Sequence, residues 1–221
     1  MSDGRDAERG AAAPATPAAL ARALASLLLA EFDLRRPGRA VIGVAGELGS
    51  GKSVTATGLA GALGDAGVPA GVLHQDDYFH RPPRTNHEHR CLDLRHVGPH
   101  EVNLALLQAH VAAFRSGAAG VQAPRVDYPG NRFVTQQVDF SPLAALVVEG
   151  TYVLQLDDLD VRIFLTATHH DTRERRRARN RDIDAPIVDQ VLAIEHALIA
   201  PQVERAHVVI DRDFTIARCP R

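Results

Sequence analysis

The sequence predicts a three-layer α/β fold built on a mostly parallel sheet of about five strands, with helices on both faces. Apolar, strand-like runs alternate with amphipathic helical ones through most of the chain. The first strand-to-helix junction is glycine-rich, Gly46-Glu47-Leu48-Gly49-Ser50-Gly51-Lys52-Ser53. A second strand follows that helix within about 35 residues of the first strand's start, the span of a right-handed parallel crossover.

The elements follow from local pattern. Pro17 to Arg35 places Leu20, Leu24, Leu27, Leu28 and Phe32 near helical spacing, and Pro37-Gly38 stops that helix. Arg39 to Ala45 reads as a buried strand, Ser53 to Asp65 as a helix, and Val68 to His74 as the second strand. Asp76 to Pro99 is rich in His, Arg, Pro and Asp with little periodicity, so it is expected to be a long substrate loop or lid. Glu101 to Phe114 carries Leu104, Leu107, Val111 and Phe114 on one helical stripe. Gln122 to Val138 suggests a hairpin flap turning at Pro129-Gly130-Asn131. Strands at Leu143–Val148 and Val161–Thr166 precede an arginine-loaded helix at Asp171–Arg181, an amphipathic helix at Ile187–Ala200 and a last strand at His207–Ile210.

The 221 residues, 45% hydrophobic and 24% charged, suffice for one large domain, expected over residues 19–221 behind a disordered tail at 1–18. A net charge of −2 leaves no global basic footprint for a nucleic-acid polymer. Cys91 and Cys219 are the only cysteines, which argues against a disulfide framework and makes a cytoplasmic protein the expectation. The apolar stretch Leu24 to Phe32 is too short to span a membrane. Self-association into a homo-oligomer is left open.

Lys52 is the sole lysine among 25 basic residues, and it completes the pattern G-x-x-x-x-G-K-[ST]. Glycines let backbone N–H groups curl around phosphate oxygens, while a compact ammonium on a flexible stem reaches the outer phosphates better than arginine's planar fork. The cradle is expected to comprise Gly46, Glu47, Leu48, Gly49, Ser50, Gly51, Lys52, Ser53 and Val54, with the Ser53 hydroxyl on a magnesium ion. Glu149 ends an apolar strand, where a carboxylate can join the magnesium shell. Asp76 and Asp77 follow the second strand and emerge at the same edge. Asp76 is favoured as the base that accepts an acceptor hydroxyl's proton, with Asp77 the competing candidate. Tyr78 and Phe79 are expected to line the acceptor pocket. Either neutral histidines or Arg84, Asn86, Asp93 and Asn131 are expected to hydrogen-bond a polar acceptor. Six arginines occupy nine positions from Arg173 to Arg181, the composition of a lid that neutralises transferring phosphoryl charge. His87-Glu88-His89 lacks the i, i+4 spacing of a helical zinc pair.

On these residues the chain resembles the uridine kinase family of phosphate-loop kinases, a branch that also holds phosphoribulokinase and bacterial pantothenate kinase. The marks are the phosphate loop, Gln75-Asp76-Asp77-Tyr78-Phe79, Pro124-Arg125-Val126-Asp127-Tyr128, Val148-Glu149-Gly150 and Asp171-Thr172-Arg173, spread over roughly Val41 to Phe214. The resemblance implies a P-loop NTPase fold of the nucleoside and nucleotide kinase type and ATP- and magnesium-dependent transfer to a small-molecule hydroxyl. It also implies catalytic roles for Asp76 and Lys52, a metal role for Glu149, and phosphate contacts from Arg173, Arg176 and Arg177. A pyrimidine nucleoside is the expected acceptor, with a sugar or a pantothenate-like alcohol as the alternative in the same class. A regulatory NTPase that transfers only to water is the rival of a different class. With Lys52 the sole lysine, an Asn/Thr-Lys-x-Asp guanine-reading motif has no place in the chain.

Departures from the family pattern fall on the acceptor side. Where uridine and cytidine kinases carry Phe-Asp-His-Pro, with the aspartate holding ribose hydroxyls, this chain has Arg95-His96-Val97-Gly98-Pro99. The Tyr-Asp-Phe segment becomes Val126-Asp127-Tyr128, and the pyrimidine-reading histidine falls on Asn131. The lid, Arg176-Arg177-Ala178-Arg179-Asn180-Arg181-Asp182, runs one residue longer than Arg-Arg-x-x-Arg-Asp.

Overall fold

A computed structural model describes residues 16–35, 38–172 and 186–219. The central sheet has six strands: β1 (Ala40–Gly46), β2 (Ala70–His74), β5 (Ala145–Gly150), β6 (Val161–Leu165), β7 (Val208–Ile210) and β8 (Ile216–Arg218). Their order is β2-β5-β1-β6-β7-β8, and among the described residues β8 is the one antiparallel member. The five parallel strands agree with the sequence reading, and the edge strand β8 is an addition to it. β3 (Gly120–Asp127) and β4 (Arg132–Asp139) form a separate antiparallel hairpin.

β1 and β5 are buried along their whole length because helices cover both sheet faces. Successive side chains alternate between those faces. Ile42, Val44, Val147 and Ile163 pack with α1 (Pro17–Glu31) and α2 (Lys52–Asp65), through Leu24, Leu28, Leu59 and Leu63. Val41, Ala45, Leu146, Val148 and Phe164 pack with α4 (Leu104–Arg115) and with Ile199 at the end of α5 (Pro186–Ile199).

The stretch read as a long loop contains α3 (Pro83–Leu92) and two 3-10 turns, Leu94–His96 and Pro99–Glu101. Pro83 suits the first helical turn, where a missing N–H leaves no bond unmade. Only Asn86 of this helix is buried, so it has no apolar stripe from which periodicity could be read. The expected tail lies outside the described residues up to position 15; the arginine-loaded helix lies outside them from position 173.

Candidate active site

Parallel pairing brings three chain segments to one sheet edge. Glu149 of β5 lies between Val44 of β1 and His74 of β2, so the phosphate loop, the end of β5 and the Gln75–Tyr78 turn emerge together. Gln75 joins two of them. Its Nε2 donates to Thr151 Oγ1 at 2.9 Å and its Oε1 accepts from the Tyr152 N–H at 2.7 Å. Gly150 is required at that junction, since a Cβ there would stand 2.3 Å from Gln75 Cβ.

The loop's conformation is a property of its glycines. Gly49 and Gly51 have φ of 80° and 102°, and a Cβ on Gly46 would meet the Leu165 carbonyl oxygen and Ser50 Oγ, each at 2.8 Å. Ser50 Oγ is buried and has no hydrogen-bond partner among the described residues. Lys52 Nζ donates to the Glu47 carbonyl at 3.0 Å. Glycine-shaped backbone, an unfilled buried hydroxyl and one ammonium fit a chain of phosphates.

Ser53 Oγ donates to Glu149 Oε1 at 3.0 Å, and His74 Nδ1 lies 2.7 Å from the same oxygen. Burial alone would raise the Glu149 carboxyl, but His74, Lys52 and Ser53 outweigh it and hold it below the ordinary carboxylate range. Its hydrogen bond to Glu149 in turn raises His74.

The two neighbouring aspartates do different work. Asp77 Oδ1 accepts from the Val126 N–H at 2.8 Å and so pins the hairpin to the turn. The Asp76 carboxylate receives no hydrogen bond among the described residues and is open to solvent, although protein crowds around it. That crowding raises its carboxyl, Lys52 opposes the rise, and Glu149 and Asp77 reinforce it. Water reaches the group, which limits the rise.

The residues expected to line an acceptor pocket each have partners of their own in the fold. Tyr78 is 2% exposed, packs in the core, and its hydroxyl is 2.8 Å from His110 Nδ1. Phe79 bridges to Val102 and packs on the same core. Asp93 caps the Leu94–His96 turn and binds the Arg95 guanidinium, with Nε 2.8 Å from Oδ2. Asn131, at φ 47°, accepts from the Arg84 N–H at 2.8 Å and donates to Thr85 Oγ1 at 3.0 Å, which clasps the hairpin tip to α3. Its position reflects a left-handed turn that Asn tolerates. The lid arginines Arg173, Arg176 and Arg177 lie outside the described residues.

Two side-chain clusters escaped the sequence reading. Glu47, valued there for its backbone, is 6% exposed; its Oε2 accepts from the His169 N–H at 2.7 Å, and His196 Nδ1 is 2.6 Å from Oε1. His169 Nδ1 lies 2.9 Å from Oε2. Burial would raise the Glu47 carboxyl, but these hydrogen bonds lower it further than burial lifts it. The three side chains have the clustering of a metal-ligand set, within 4.8 Å of one another. Each carboxylate oxygen already faces a histidine nitrogen at hydrogen-bond distance, so the trio acts as a clasp of the loop to α5 and the residues after β6. The second cluster, Arg90, Glu101 and Glu195, joins α3, the Pro99–Glu101 turn and α5 by ion pairs of 2.6 and 2.9 Å. No sequence periodicity links those three positions; only the tertiary fold does.

The model of the phosphoribulokinase/uridine kinase family matches residues 41–216. The chain belongs to this family. Within the phosphoribulokinase/uridine kinase family its relatives differ in acceptor. It is 28% identical over 192 residues to a bifunctional alpha-galactosidase/sucrose kinase from Mediterraneibacter gnavus, an alignment covering 80% of this chain and 20% of that larger protein. It is 27% identical over 184 residues to the uridine kinase of Staphylococcus aureus strain Newman, covering 77% and 86%. A Silicibacter sp. TM1040 structure named for a fructose transport system kinase superimposes with TM-score 0.63 and 26% identity, over 84% of this chain and 94% of that one. The α/β architecture with its parallel sheet is therefore that of this kinase family, and a small-molecule kinase is what its members share.

Proposed function

We propose that the protein is an ATP-dependent kinase that phosphorylates a hydroxyl of a small neutral polyol, a sugar before a nucleoside. The observation that carries the reading is Asp76: a carboxylate without a hydrogen bond among the described residues, at the sheet edge that also bears Lys52 and Glu149. Phosphoryl transfer asks the protein mainly for positioning and charge stabilisation. Asp76 would accept the acceptor hydroxyl's proton, and its raised carboxyl brings its basicity closer to neutral pH. Lys52 and the backbone from Glu47 to Ser53 would hold the nucleotide phosphates. Ser53 Oγ and Glu149, adjacent hard oxygen donors, suit a magnesium ion directly or through water. Bound ATP and magnesium would supply the phosphoryl donor and neutralise its charge. Arg173, Arg176 and Arg177 are assigned to the closing lid.

A sugar is preferred because the ribose-holding aspartate of uridine and cytidine kinases is replaced at Arg95-His96-Val97-Gly98-Pro99, and because two relatives carry sucrose and fructose in their names. The uridine kinase relative, matched over 86% of its own length, keeps the nucleoside as the second reading. Incubation with ATP, magnesium and sucrose, D-fructose, uridine, cytidine or pantothenate, with products identified by mass, tests both. A phosphorylated sugar is expected; ATP turnover indifferent to every acceptor would overturn the kinase reading in favour of a water-directed NTPase.

A further inference from the structure

Glu101, at 2% exposure, has its acceptor capacity filled. Its Oε1 takes Arg90 Nε at 2.6 Å and Asn86 Nδ2 at 2.9 Å, while Oε2 takes Arg90 Nη2 at 2.8 Å and the Gly98 N–H at 2.8 Å. The groups around it are not filled. Glu195 receives one hydrogen bond among the described residues, from Arg90 Nη2 to Oε1 at 2.9 Å. Asn86 Oδ1 and Tyr152 Oη are buried without any partner among the described residues. Rotating the Asn86 amide would not help, because its carbonyl would then face the Glu101 carboxylate. A buried donor or acceptor without a partner forfeits the hydrogen bonds that water gave it in the unfolded chain. Two buried polar atoms left open beside a part-exposed carboxylate are therefore expensive unless something binds there.

The location is right for an acceptor. The His80 N–H donates to the Glu101 carbonyl at 2.8 Å and Phe79 bridges to Val102, so the cluster is tied to the turn that carries Asp76. Lys52 acts electrostatically on Glu195, and the next residue of α5, His196, holds Glu47 of the phosphate loop. Tyr152 follows Glu149 by three positions and interacts electrostatically with Arg90, Glu101 and Glu195. The Arg90 and Glu195 side chains keep 15% and 12% of their surface exposed, which leaves an open edge.

The chemistry selects the ligand. Two carboxylates beside one guanidinium disfavour an anion, and the guanidinium disfavours a cation. A carboxylate oxygen, an amide carbonyl and a phenol together suit groups that both donate and accept, which are neutral hydroxyls. We propose that Asn86, Arg90, Tyr152 and Glu195, braced by Glu101, form the subsite that reads the hydroxyls of a neutral sugar acceptor. This inference rests on the kinase reading above and names the substrate class for its acceptor side. Burial raises the Glu195 carboxyl and Arg90 opposes it, in keeping with a group suited to hydroxyl contacts.

Tyr152→Phe removes only an oxygen without a partner among the described residues, so the fold should tolerate it. With sucrose or D-fructose, whichever the wild type phosphorylates, Tyr152→Phe should raise acceptor KM about tenfold or more. ATP KM and melting temperature should stay near wild type. Across monodeoxy analogues of that sugar, the penalty should vanish for one of them, the analogue lacking the hydroxyl that Tyr152 reads. Glu195→Gln should likewise raise acceptor KM, and the sugar should raise the melting temperature of the wild type but not of Tyr152→Phe. An unchanged acceptor KM in Tyr152→Phe, or an equal penalty on every analogue, would overturn the subsite while leaving the kinase reading intact. Phosphorylation of uridine alone would overturn the sugar class and keep the kinase. Wild-type indifference to every acceptor would overturn the kinase reading and this inference with it.

Discussion

The two halves of the active edge are made differently. On the phosphate side, Gly46 to Ser53 forms one continuous loop between β1 and α2, and its shape comes from backbone angles at Gly49 and Gly51 and from the closeness of Gly46 to Leu165. On the acceptor side, Arg90, Glu101 and Glu195 come from three separate segments and meet through side-chain bonds, and Tyr152 interacts with them electrostatically. A backbone-built site serves a ligand common to many enzymes. A site assembled from distant side chains can change its ligand without disturbing the loop.

The contrast predicts that breaking the acceptor-side ion pair damages stability, whereas removing the phosphate-side ammonium damages nucleotide binding. The largest stability effect belongs to Arg90→Met, which leaves Glu101 and Glu195 buried without their cation. A loss of about 3–5 kcal/mol is expected by urea unfolding. Lys52→Met, by contrast, should leave the unfolding midpoint near wild type while abolishing measurable nucleotide affinity; equal stability losses in the two variants would erase the distinction.

Gly150→Ala probes the seam between the halves. Its methyl would collide with Gln75, so stability should fall by about 1–3 kcal/mol and turnover should fall with it as the Asp76 turn shifts. An alanine variant with wild-type stability and turnover would show that the seam does not position the base.

The smallest effect is pH-dependent. Glu47 is held below its ordinary 4.5 in the folded protein, so its contribution is complete above that pH and is lost as pH falls through the lower folded value. Glu47→Gln should cost about 1–2 kcal/mol near neutrality. The gap from wild type should close in acid, read from unfolding curves at several pH values; a gap that widens in acid would contradict the clasp.

The same contrast explains what could be read from sequence. The phosphate loop was legible because backbone geometry demands glycines at fixed spacing. The sheet was legible because strands buried on both faces are continuous apolar runs, as in Ala145–Gly150. α3 was not, since a polar helix with one buried residue has no periodic signal. The surroundings of Tyr78 were hidden for a related reason: an aromatic after a strand can face the core or the site, and its contact with His110 is a matter of tertiary structure. Glu195 and Tyr152 carry no local signal at all, because their significance lies in an ion pair spanning α3 and α5.

The kinase reading itself depends on Asp76. Turnover and ATP affinity should be measured side by side for wild type and Asp76→Asn, with the acceptor that the panel identifies. The account predicts that turnover falls by on the order of a hundredfold or more while ATP affinity stays nearly intact. Turnover near wild type, or a matching loss of ATP affinity, would contradict it.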